Sequence, residues 1–316
     1  MVTAIIPTWN LRDLVCAVIV DLRNQSAAPE KILVVDNGST DDTAEACERL
    51  GARVLRMGRN AGFSAAVNRG IAESSTEWVA VLNNDVRLEC DWLRNLLRAA
   101  IAENAAFAGG KLLRMDDPGV IDGGYDLLAK SACAWRAGHG RADGPLWNQT
   151  RSISFVPFTA AIFRRELFTQ AGPLDESFES YLEDVEFGLR CARKGHRGLY
   201  VPKAVARHAG SASFGVWSGE TVRYISRNQV LLFAKHFPRR YLWHAVLGQL
   251  LWGAVATRHG AGLSWLRGKI EGLRAARAGL RNESTANILS ESEDQLRKLQ
   301  EQSGFDRMWR IYFALT

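Results

Sequence analysis

The chain has 316 residues, of which 47% are hydrophobic and 23% are charged. This composition supports a sizeable buried core and excludes a wholly disordered, collagen-like or disulfide-scaffold protein. Forty Lys and Arg residues against 34 Asp and Glu residues give a net charge of +6, which indicates an anionic partner (nucleic acid, nucleotide phosphate or membrane lipid) without choosing among them.

The first hundred residues alternate between short apolar runs and stretches with helical spacing. The predicted strands are 2–7, 31–36, 52–56 and 78–83, and the predicted helices are 11–25, 42–50, 64–73 and about 91–104. Near-continuous apolar strands that alternate with helices predict an α/β fold with a mostly parallel sheet covered on both faces. Ligands of such sheets bind beyond the carboxyl ends of the strands.

The pattern becomes less regular after residue 110. Residues 111–154 are rich in glycine and show no regular hydrophobic period. The glycine pairs at 109–110 and 123–124 are therefore interpreted as markers of loops. Strands are predicted within 153–164 and at 197–201, and helices near 165–171 and over 184–194. From about residue 224 onward, the chain is predicted to be helical.

The sequence also bears on compartment and membrane topology. Five irregularly spaced cysteines without a CxxC pair predict free thiols in a reducing compartment. The first seven residues lack the basic region of a signal peptide. The longest uncharged apolar run, 241–257, contains His244 and Gln249 and is shorter than the roughly 20 residues that span a bilayer. We therefore expect a cytoplasmic protein without a transmembrane helix.

Polar clusters follow four predicted strands in succession. Turn and cap chemistry explains any one of them, but four clusters that converge on one edge of a sheet indicate a nucleotide-diphosphate site. The residues of these clusters that we assign to the site are Pro7, Thr8, Trp9, Asp36, Asn37, Gly62, Asn68, Asn84 and Asp85.

The chemistry of these residues suits a nucleotide. Asp36 can accept a hydrogen bond from the imino N–H of a pyrimidine, and Thr8 and Trp9 can form the walls around the base. Gly62 allows close approach of the backbone to a ligand, with a helix N-terminus behind it. Asp85 offers one carboxylate to Mg²⁺ or Mn²⁺, whose coordination shell phosphates and water can complete.

Three acids open the helix predicted over 184–194. Glu183, Asp184 and Glu186 can simply complement the helix dipole, and for Glu186 this explanation is favoured. Glu183 and Asp184 lie at or before the first turn, where a carboxylate can deprotonate a hydroxyl. His208 follows a predicted strand. A lone histidine is more often structural, but near a diphosphate it can bind metal or phosphate.

These segments resemble the family 2 inverting glycosyltransferases of GT-A fold, in particular the bacterial rhamnosyltransferase-like branch. The matches occur in the expected order between residues 1 and 213, and together they are highly specific. They are IIPTWN at 5–10, VVDNGSTD at 34–41, NAGFSAAVNRG at 60–70, LNNDV at 82–86, FRREL at 163–167, GPLDESF at 172–178, EDVEFGLR at 183–190 and the segment around His208.

The resemblance implies a GT-A catalytic domain over 1–215, with a nucleotide-binding half (1–110) and an acceptor and catalytic half (111–215). A helical region over 216–316 follows. Asn83, Asn84 and Asp85 occupy the place of the DxD motif, but its first acid is Asn83 here, so Asp85 would carry most of the divalent-cation contact, with His208 as a further ligand. Asp184 would be the general base.

The resemblance also implies an activity. A sugar, with L-rhamnose from dTDP-L-rhamnose as the best candidate and UDP-hexoses as alternatives, would pass with inversion to a hydroxyl of a saccharide or lipid-linked acceptor in cell-surface polysaccharide synthesis. The matched donor-site positions are Pro7, Thr8, Trp9, Asp36, Asn37, Gly62, Asn68 and Asn84, with Asp184 and Glu183 as the catalytic pair.

Three other functions are weighed against this one. A nucleotidyltransferase needs a Gly-rich basic loop after the first strand, where this chain has Thr8, Trp9 and Asn10. A silent nucleotide-sugar-binding protein has no need of both Asp85 and Asp184. A nucleic-acid binder is suggested by charge alone, and the sequence has no helix-turn-helix, zinc-finger or RNA-binding signature.

The C-terminal third holds most of the net charge. Residues 258–281 contain six basic residues and one acid, and Leu266, Ile270, Leu273 and Leu280 share one face of a predicted helix over 263–281. A basic amphipathic helix near tryptophans predicts attachment to an anionic membrane surface, on the inner face of the cytoplasmic membrane. Packing on the catalytic core is an equal alternative. A last helix, 291–302, is predicted to pack on the core or to form a homodimer.

Overall fold

The computed structural model describes residues 1–210, 217–276 and 284–316. The end of the predicted amphipathic helix, including Leu280, and the predicted domain boundary at 215 lie outside the described residues. Within the described ranges, no helix is both long and apolar enough to cross a membrane, as predicted. All five cysteines are free thiols, also as predicted.

The first hundred residues alternate between strand and helix as their apolar periods predict, with ends that differ from the prediction by at most two residues. The elements are β1 (Val2–Thr8), α1 (Arg12–Arg23), β2 (Lys31–Asp36), α2 (Thr43–Arg49), β3 (Arg53–Arg56), α3 (Phe63–Ala72), β4 (Trp78–Leu82), β5 (Val86–Leu88) and α4 (Trp92–Ala102). Only β5, a three-residue strand, was absent from the prediction.

The middle of the chain contains more strands than its sequence predicts. Its elements are β6 (Phe107–Arg114), β7 (Ile121–Gly123), β8 (Asp126–Leu128), β9 (Ala134–Arg136), β10 (Arg151–Ile153), β11 (Ala160–Arg164), α5 (Leu167–Gln170), α6 (Glu183–Arg193) and β12 (Gly198–His208). The prediction of a loop over 111–154 is therefore wrong, because strands of three residues are too short to show a period.

The glycine pairs in this region lie in or beside strands and are needed for close packing. A Cβ on Gly110, inside β6, would overlap the carbonyl oxygen of Ala204, and one on Gly124 would lie 2.9 Å from the ring of Tyr200. The absence of a side chain thus lets β6 approach the bulge of β12, where the pairing shifts between Val201 and Val205.

Ten strands form one mixed sheet in the order β10-β12-β6-β11-β4-β1-β2-β3, in which β5 also pairs with β12 and β7 with β6. The pairs β1–β2, β1–β4, β2–β3 and β6–β12 are parallel. Because β1 and β4 are parallel neighbours with Ile5 opposite Val81, Thr8 and Asn84 reach the same edge of the sheet. The strands β8 and β9 form a separate hairpin.

Helices cover both faces of the sheet, so the strands are buried on both sides. All seven residues of β1 are buried; Ile5 packs in one core with Val79 and Phe163, whereas Ala4 and Ile6 pack in the core on the other face. This two-sided burial explains why the strands read as continuous apolar runs.

The C-terminal region is helical, as predicted, and packs on the catalytic part. Its helices are α7 (Gly219–His236), α8 (Leu242–Arg258), α9 (Gly262–Ala275), α10 (Ser284–Ser303) and α11 (Arg307–Leu315). The predicted start of the last long helix at 291 is wrong, because α10 already begins at Ser284 and buries Ile288 and Leu289 against α6 and α7. The helix α11 was not predicted.

Candidate active site

A cavity of about 1170 Å³ opens beyond the carboxyl ends of the strands. Its wall includes residues at the ends of β1 and β4 and residues of α7, α8 and α11. Among the predicted site residues, those on its wall are Pro7, Thr8, Trp9, Asn37, Gly62, Asn84, Asp85, Glu183, Asp184 and His208. One cavity therefore brings together residues from most of the length of the chain, as a ligand site between a sheet and its covering helices requires.

The strand-end part of the cavity is built by hydrogen bonds between neighbouring strands. The Nδ2 of Asn84 donates to Oγ1 of Thr8 at 2.9 Å, and the Thr8 hydroxyl donates to the carbonyl oxygen of Asn10 at 3.1 Å. Trp9 is left 38% exposed on the cavity wall. This arrangement leaves an aromatic face available to a ligand at the edge of the sheet.

Asn37 shapes the loop that precedes α3. Its Nδ2 donates to Oδ1 of Asn60 at 3.0 Å and to the carbonyl oxygen of Gly62 at 3.1 Å, and its Oδ1 accepts from the N–H of Ala61 at 2.9 Å. Its amide is thus engaged by the protein, and we infer that it positions this loop.

Gly62 allows its own backbone to lie close to the backbone of Glu179. Its φ is +89°, and a Cβ there would lie 3.1 Å from the backbone of Glu179. The N–H of Ser64 in the first turn of α3 donates to the carbonyl oxygen of Glu179 at 3.0 Å. Glu179, in the segment before α6, therefore occupies part of the N-terminus of α3, which the sequence analysis had assigned to a ligand.

Two predicted donor-site residues do not line the cavity. Asp36 is buried and its Oδ1 accepts from the N–H of Ser39 at 3.0 Å. Asn68 donates to the carbonyl oxygen of Leu174 at 2.9 Å and to Oε1 of Glu176, and its Oδ1 accepts from the N–H of Leu174 at 2.8 Å. These contacts give Asn68 a structural role, joining α3 to the segment before α6.

A buried chain of three side chains links the loop between β4 and β5 with β7 and β12. The Nε2 of His208 lies 3.3 Å from Oδ1 of Asp85, and its Nδ1 lies 2.9 Å from Oδ2 of Asp122. Burial lowers the pKa of His208, but the two carboxylates outweigh it and raise that pKa to about 9. His208 ends β12, opposite Val86, and this antiparallel pairing brings it to Asp85.

A second group of charged side chains surrounds the N-terminus of α6. Arg136 Nε lies 3.3 Å from Oδ1 of Asp126, and its Nη2 lies 3.9 Å from Oδ2 of Asp184. Burial and the charge of Asp126 raise the pKa of Asp184 to about 7, although Arg136 acts in the opposite direction. A carboxylate with a pKa near neutrality is suited to accept a proton from a hydroxyl.

Glu183 differs from its neighbour Asp184. It is only 7% exposed, and its Oε2 has no hydrogen-bond partner among the described residues. Burial, together with the nearby charge of Asp184, raises its pKa well above the usual range. Burial therefore favours the protonated form of Glu183.

The segment before α6 is held in an unusual conformation by the C-terminal region. Glu179, Tyr181 and Leu182 have φ values of +59°, +70° and +65°, which non-glycine residues rarely adopt. The fully buried Asn228 of α7 donates from Nδ2 to the carbonyl oxygens of Phe178, Ser180 and Tyr181 at 2.7–2.9 Å. The helix α7 thus fixes the backbone that presents Glu183 and Asp184.

Sequence reasoning missed Asp122, Asp126, Arg136 and Asn228. The two aspartates lie in the glycine-rich stretch that was interpreted as loop, and the pair DGGYD at 122–126 was the only local signal for them. Arg136 and Asn228 offer no such signal, because their roles depend on strand pairing and helix packing between distant parts of the chain.

The donor set at Asp85 fits a divalent cation. No cluster of three or more metal-ligating side chains occurs within the described ranges, but Asp85 Oδ1 and His208 Nε2 are close enough to share one ion. Asp122 holds the other ring nitrogen of His208, as carboxylates commonly do behind metal-bound histidines. Two protein ligands suffice for an ion whose remaining ligands are phosphate and water.

Comparison with known proteins identifies the family. Residues 3–172, more than half of the chain, match the family model of Glycosyl transferase family 2, and the chain belongs to this family. An N-acetylglucosaminyl-diphospho-decaprenol L-rhamnosyltransferase of Mycobacterium tuberculosis is 29% identical over 267 residues, covering 73% of this chain and 82% of that protein. These matches confirm the rhamnosyltransferase-like branch inferred from the motifs.

A second relative and two solved structures are also similar to this chain. A pre-mycofactocin glycosyltransferase of M. tuberculosis is 26% identical, covering 71% of this chain and 46% of that protein. The mannosyltransferase PcManGT of Pyrobaculum calidifontis, solved with GDP-Man and Mn²⁺, has a TM-score of 0.55 and 16% identity over 99% of this chain and 86% of its own. GalNAc-T7, solved with UDP, GalNAc and Mn²⁺, has a TM-score of 0.66 and 13% identity, covering 94% and 58%. The GT-A fold is confirmed, and the protein is a glycosyltransferase.

Proposed function

We propose that the protein transfers a sugar, with inversion of the anomeric configuration, from a nucleoside-diphosphate donor to a hydroxyl of a saccharide or lipid-linked acceptor. The observation that carries this proposal is the shared cavity, in which Asp85 and His208 lie by the strand ends and Asp184 opens α6. One site thus offers a diphosphate position and a base.

The donor would bind with its nucleoside at the edge of the sheet. Pro7, Thr8 and Trp9 would surround the base, with Asn37 and Gly62 shaping the adjoining loop. Asp36 would contribute from beneath this pocket, where its carboxylate also holds the turn at Ser39. The relative in M. tuberculosis that is named as an L-rhamnosyltransferase supports dTDP-L-rhamnose as the first donor to test, ahead of UDP-hexoses.

Asp184 would remove the proton of the attacking hydroxyl. Its pKa of about 7 lets a substantial fraction be ionised at neutral pH, while the raised pKa of the buried Glu183 disfavours a second negative charge beside it. A single displacement opposite the leaving diphosphate inverts the configuration and needs no covalent intermediate. Arg136 would orient the Asp184 carboxylate and limit the rise of its pKa.

Asp85 and His208 would hold the divalent cation, Mg²⁺ or Mn²⁺. When bound, the cation stabilises negative charge on the leaving diphosphate. Asp122 would keep His208 oriented through Nδ1, and Asn84 would fix the loop that carries Asp85 through its bond to Thr8. The Mn²⁺ in the two solved structures of similar fold supports testing both ions.

The acceptor would enter from the helical side of the cavity, whose wall includes Trp217, Tyr224, Trp252, Arg307 and Trp309. Aromatic side chains are suited to stack on sugar rings, because both present flat, partly apolar faces. The first relative described above is named for a diphospho-decaprenol substrate, which supports a lipid-linked acceptor and a site of action at the cytoplasmic face of a membrane.

A ligand screen tests the proposal. Thermal unfolding of the full chain is measured with dTDP-L-rhamnose, UDP-hexoses and GDP-mannose, each with Mg²⁺, Mn²⁺ or chelator, and nucleoside diphosphate release is followed in parallel. The proposal expects one nucleotide class to raise the Tm in a cation-dependent way and to be hydrolysed slowly without acceptor. Stabilisation by none of the donors would contradict it, and stabilisation without any turnover would favour a silent binding protein.

A further inference from the structure

The helix α9 packs through its small residues. A Cβ on Gly268 would overlap the carbonyl oxygen of Arg223, and one on Gly272 would lie 2.7 Å from the carbonyl oxygen of Arg227. Both contacts are with α7, so glycines form the inward face of α9. Among the large apolar side chains of α9, Trp265 is partly buried against Val222 of α7 and Ala256 of α8.

The four leucine and isoleucine side chains of α9 point outward. Leu263, Leu266, Ile270 and Leu273 are exposed, with Leu263 at 86% and Leu273 at 70%. This is the reverse of an ordinary surface helix, which buries its apolar face. The C-terminal helices do pack on the catalytic part, and this apolar face of α9 stays exposed beside that packing.

The neighbouring helix α8 also carries exposed apolar side chains. Leu242, Trp243, Val246 and Leu250 are exposed, and Gly253 of α8 packs against Trp265 of α9. We call the eight exposed apolar residues of α8 and α9 the outer face. A patch of this kind marks an interaction site, because scattered single residues and not rows are the norm on protein surfaces.

The positive charge around the outer face favours an anionic partner over a second copy of the chain. Residues 239–276 contain six basic residues and one acid. Lys269 is turned inward to Gln229, and Arg267 pairs with Glu271. Arg239, Arg258 and Arg274 remain exposed and make no ion pair with a described residue. Two copies docked by this face would bring like charges together, whereas an anionic lipid surface would neutralise them.

The helix α8 also reaches the cavity. A groove of about 410 Å³ between α8 and α11 is lined by Leu251, Arg258, Ile311 and others, and it shares Val255, Arg307 and Met308 with the cavity wall. The same helix thus carries part of the outer face and part of the wall of the proposed acceptor site.

We propose that the outer face binds an anionic bilayer surface, with the leucines and Trp243 in the interfacial region and the three unpaired arginines among the headgroups. This deepens the proposed function, since it brings the acceptor end of the cavity to the membrane, but the binding itself requires no donor or acceptor.

Vesicle flotation with the full chain tests this inference. The vesicles are phosphatidylcholine alone or equimolar phosphatidylcholine and phosphatidylglycerol, at low and high salt. The test variants are Leu266→Glu/Leu273→Glu and Arg258→Gln/Arg274→Gln. Ile101→Glu is the matched control, because Ile101 is 61% exposed on α4, outside the outer face. Thermal unfolding and donor-induced stabilisation are measured for every variant.

The wild type and Ile101→Glu should float with the anionic vesicles at low salt. The double leucine variant should bind at least about tenfold more weakly, since each lost leucine removes a sizeable apolar burial. The double arginine variant should lose the preference for anionic vesicles. Absence of wild-type flotation, equal flotation of all variants, or a dimer in light scattering that only the leucine variant abolishes would overturn the inference. Donor-induced stabilisation reports separately on the proposed function.

Discussion

The Nδ2 atom of Asn228 in α7 lies 2.7 Å from the carbonyl oxygen of Tyr181, three residues before Asp184. The same amide also holds the carbonyl oxygens of Phe178 and Ser180. A helix of the C-terminal region therefore supports the strained backbone from which the proposed base projects. The C-terminal helices thus form part of the candidate active site.

Replacement of Asn228 by Leu should lower turnover far more than donor affinity. The change leaves three buried carbonyl oxygens without their donor, which costs about 1–3 kcal/mol of stability and frees the segment that presents Asp184. Turnover, donor Kd and Tm are compared below the unfolding temperature. Asn95→Leu, which removes one amide bond to Lys203 outside the cavity, is the control. Equal losses in the two variants would show that Asn228 has no special role.

Cation binding should release a proton at neutral pH. The pKa of His208 is raised to about 9, so the ring is protonated near pH 7, whereas a metal-bound imidazole nitrogen must be deprotonated. Titration calorimetry in buffers of different ionisation enthalpy should give close to one proton per cation. His208→Asn should bind the cation more weakly and release none. Binding without proton release by the wild type would remove His208 from the metal site.

Transfer should depend on pH through Asp184. Because its pKa is raised to about 7, the ionised, active form increases as the pH rises, and kcat/KM for the acceptor should climb through about pH 7 and then level off. Asp126→Asn removes a neighbouring negative charge and should move this midpoint downward, whereas Arg136→Met should move it upward. A midpoint that neither change moves would assign the profile to another group.

Gly62→Ala should destabilise the protein through the contact with Glu179. The substitution combines a φ of +89° with a Cβ 3.1 Å from that backbone, and a loss of about 1–3 kcal/mol is expected. Gly58→Ala isolates the conformational part, since Gly58 has a φ of +73° and no atom within 4 Å of its Cβ position. Equal changes in the free energy of unfolding would show that the contact contributes nothing.

How much of the structure can be predicted from the sequence depends on whether the interactions involved are local or long-range. The elements from β1 to α4, apart from β5, follow from local periods and turn residues, and Asp85, Asp184 and His208 follow from motifs at element ends. In contrast, Gly110 lies in a strand because of its fit against Ala204, and no local pattern signals that contact.

The same difference between local and long-range interactions explains which residues of the candidate site could be predicted. Asp36 and Asn68 carry the right chemistry at the right strand ends, yet Asn68 uses its amide to hold Leu174, 106 residues away. Arg136 reaches Asp184 only through the β8–β9 hairpin, and Asn228 reaches Tyr181 only through the packing of α7. The sequence shows which residue types are present, and tertiary packing decides which of them meet a ligand.

The central claim is that Asp184 is the base and that its buried neighbour Glu183 is not. The measurement is the rate of sugar transfer to acceptor by Asp184→Asn and Glu183→Gln, with donor binding measured in both variants. We predict that Asp184→Asn binds donor normally and loses about 10²–10⁴-fold in turnover, whereas Glu183→Gln, which mimics the protonated acid, keeps turnover within about tenfold of the wild type. Near-normal transfer by Asp184→Asn, or a larger loss in Glu183→Gln, would contradict this assignment.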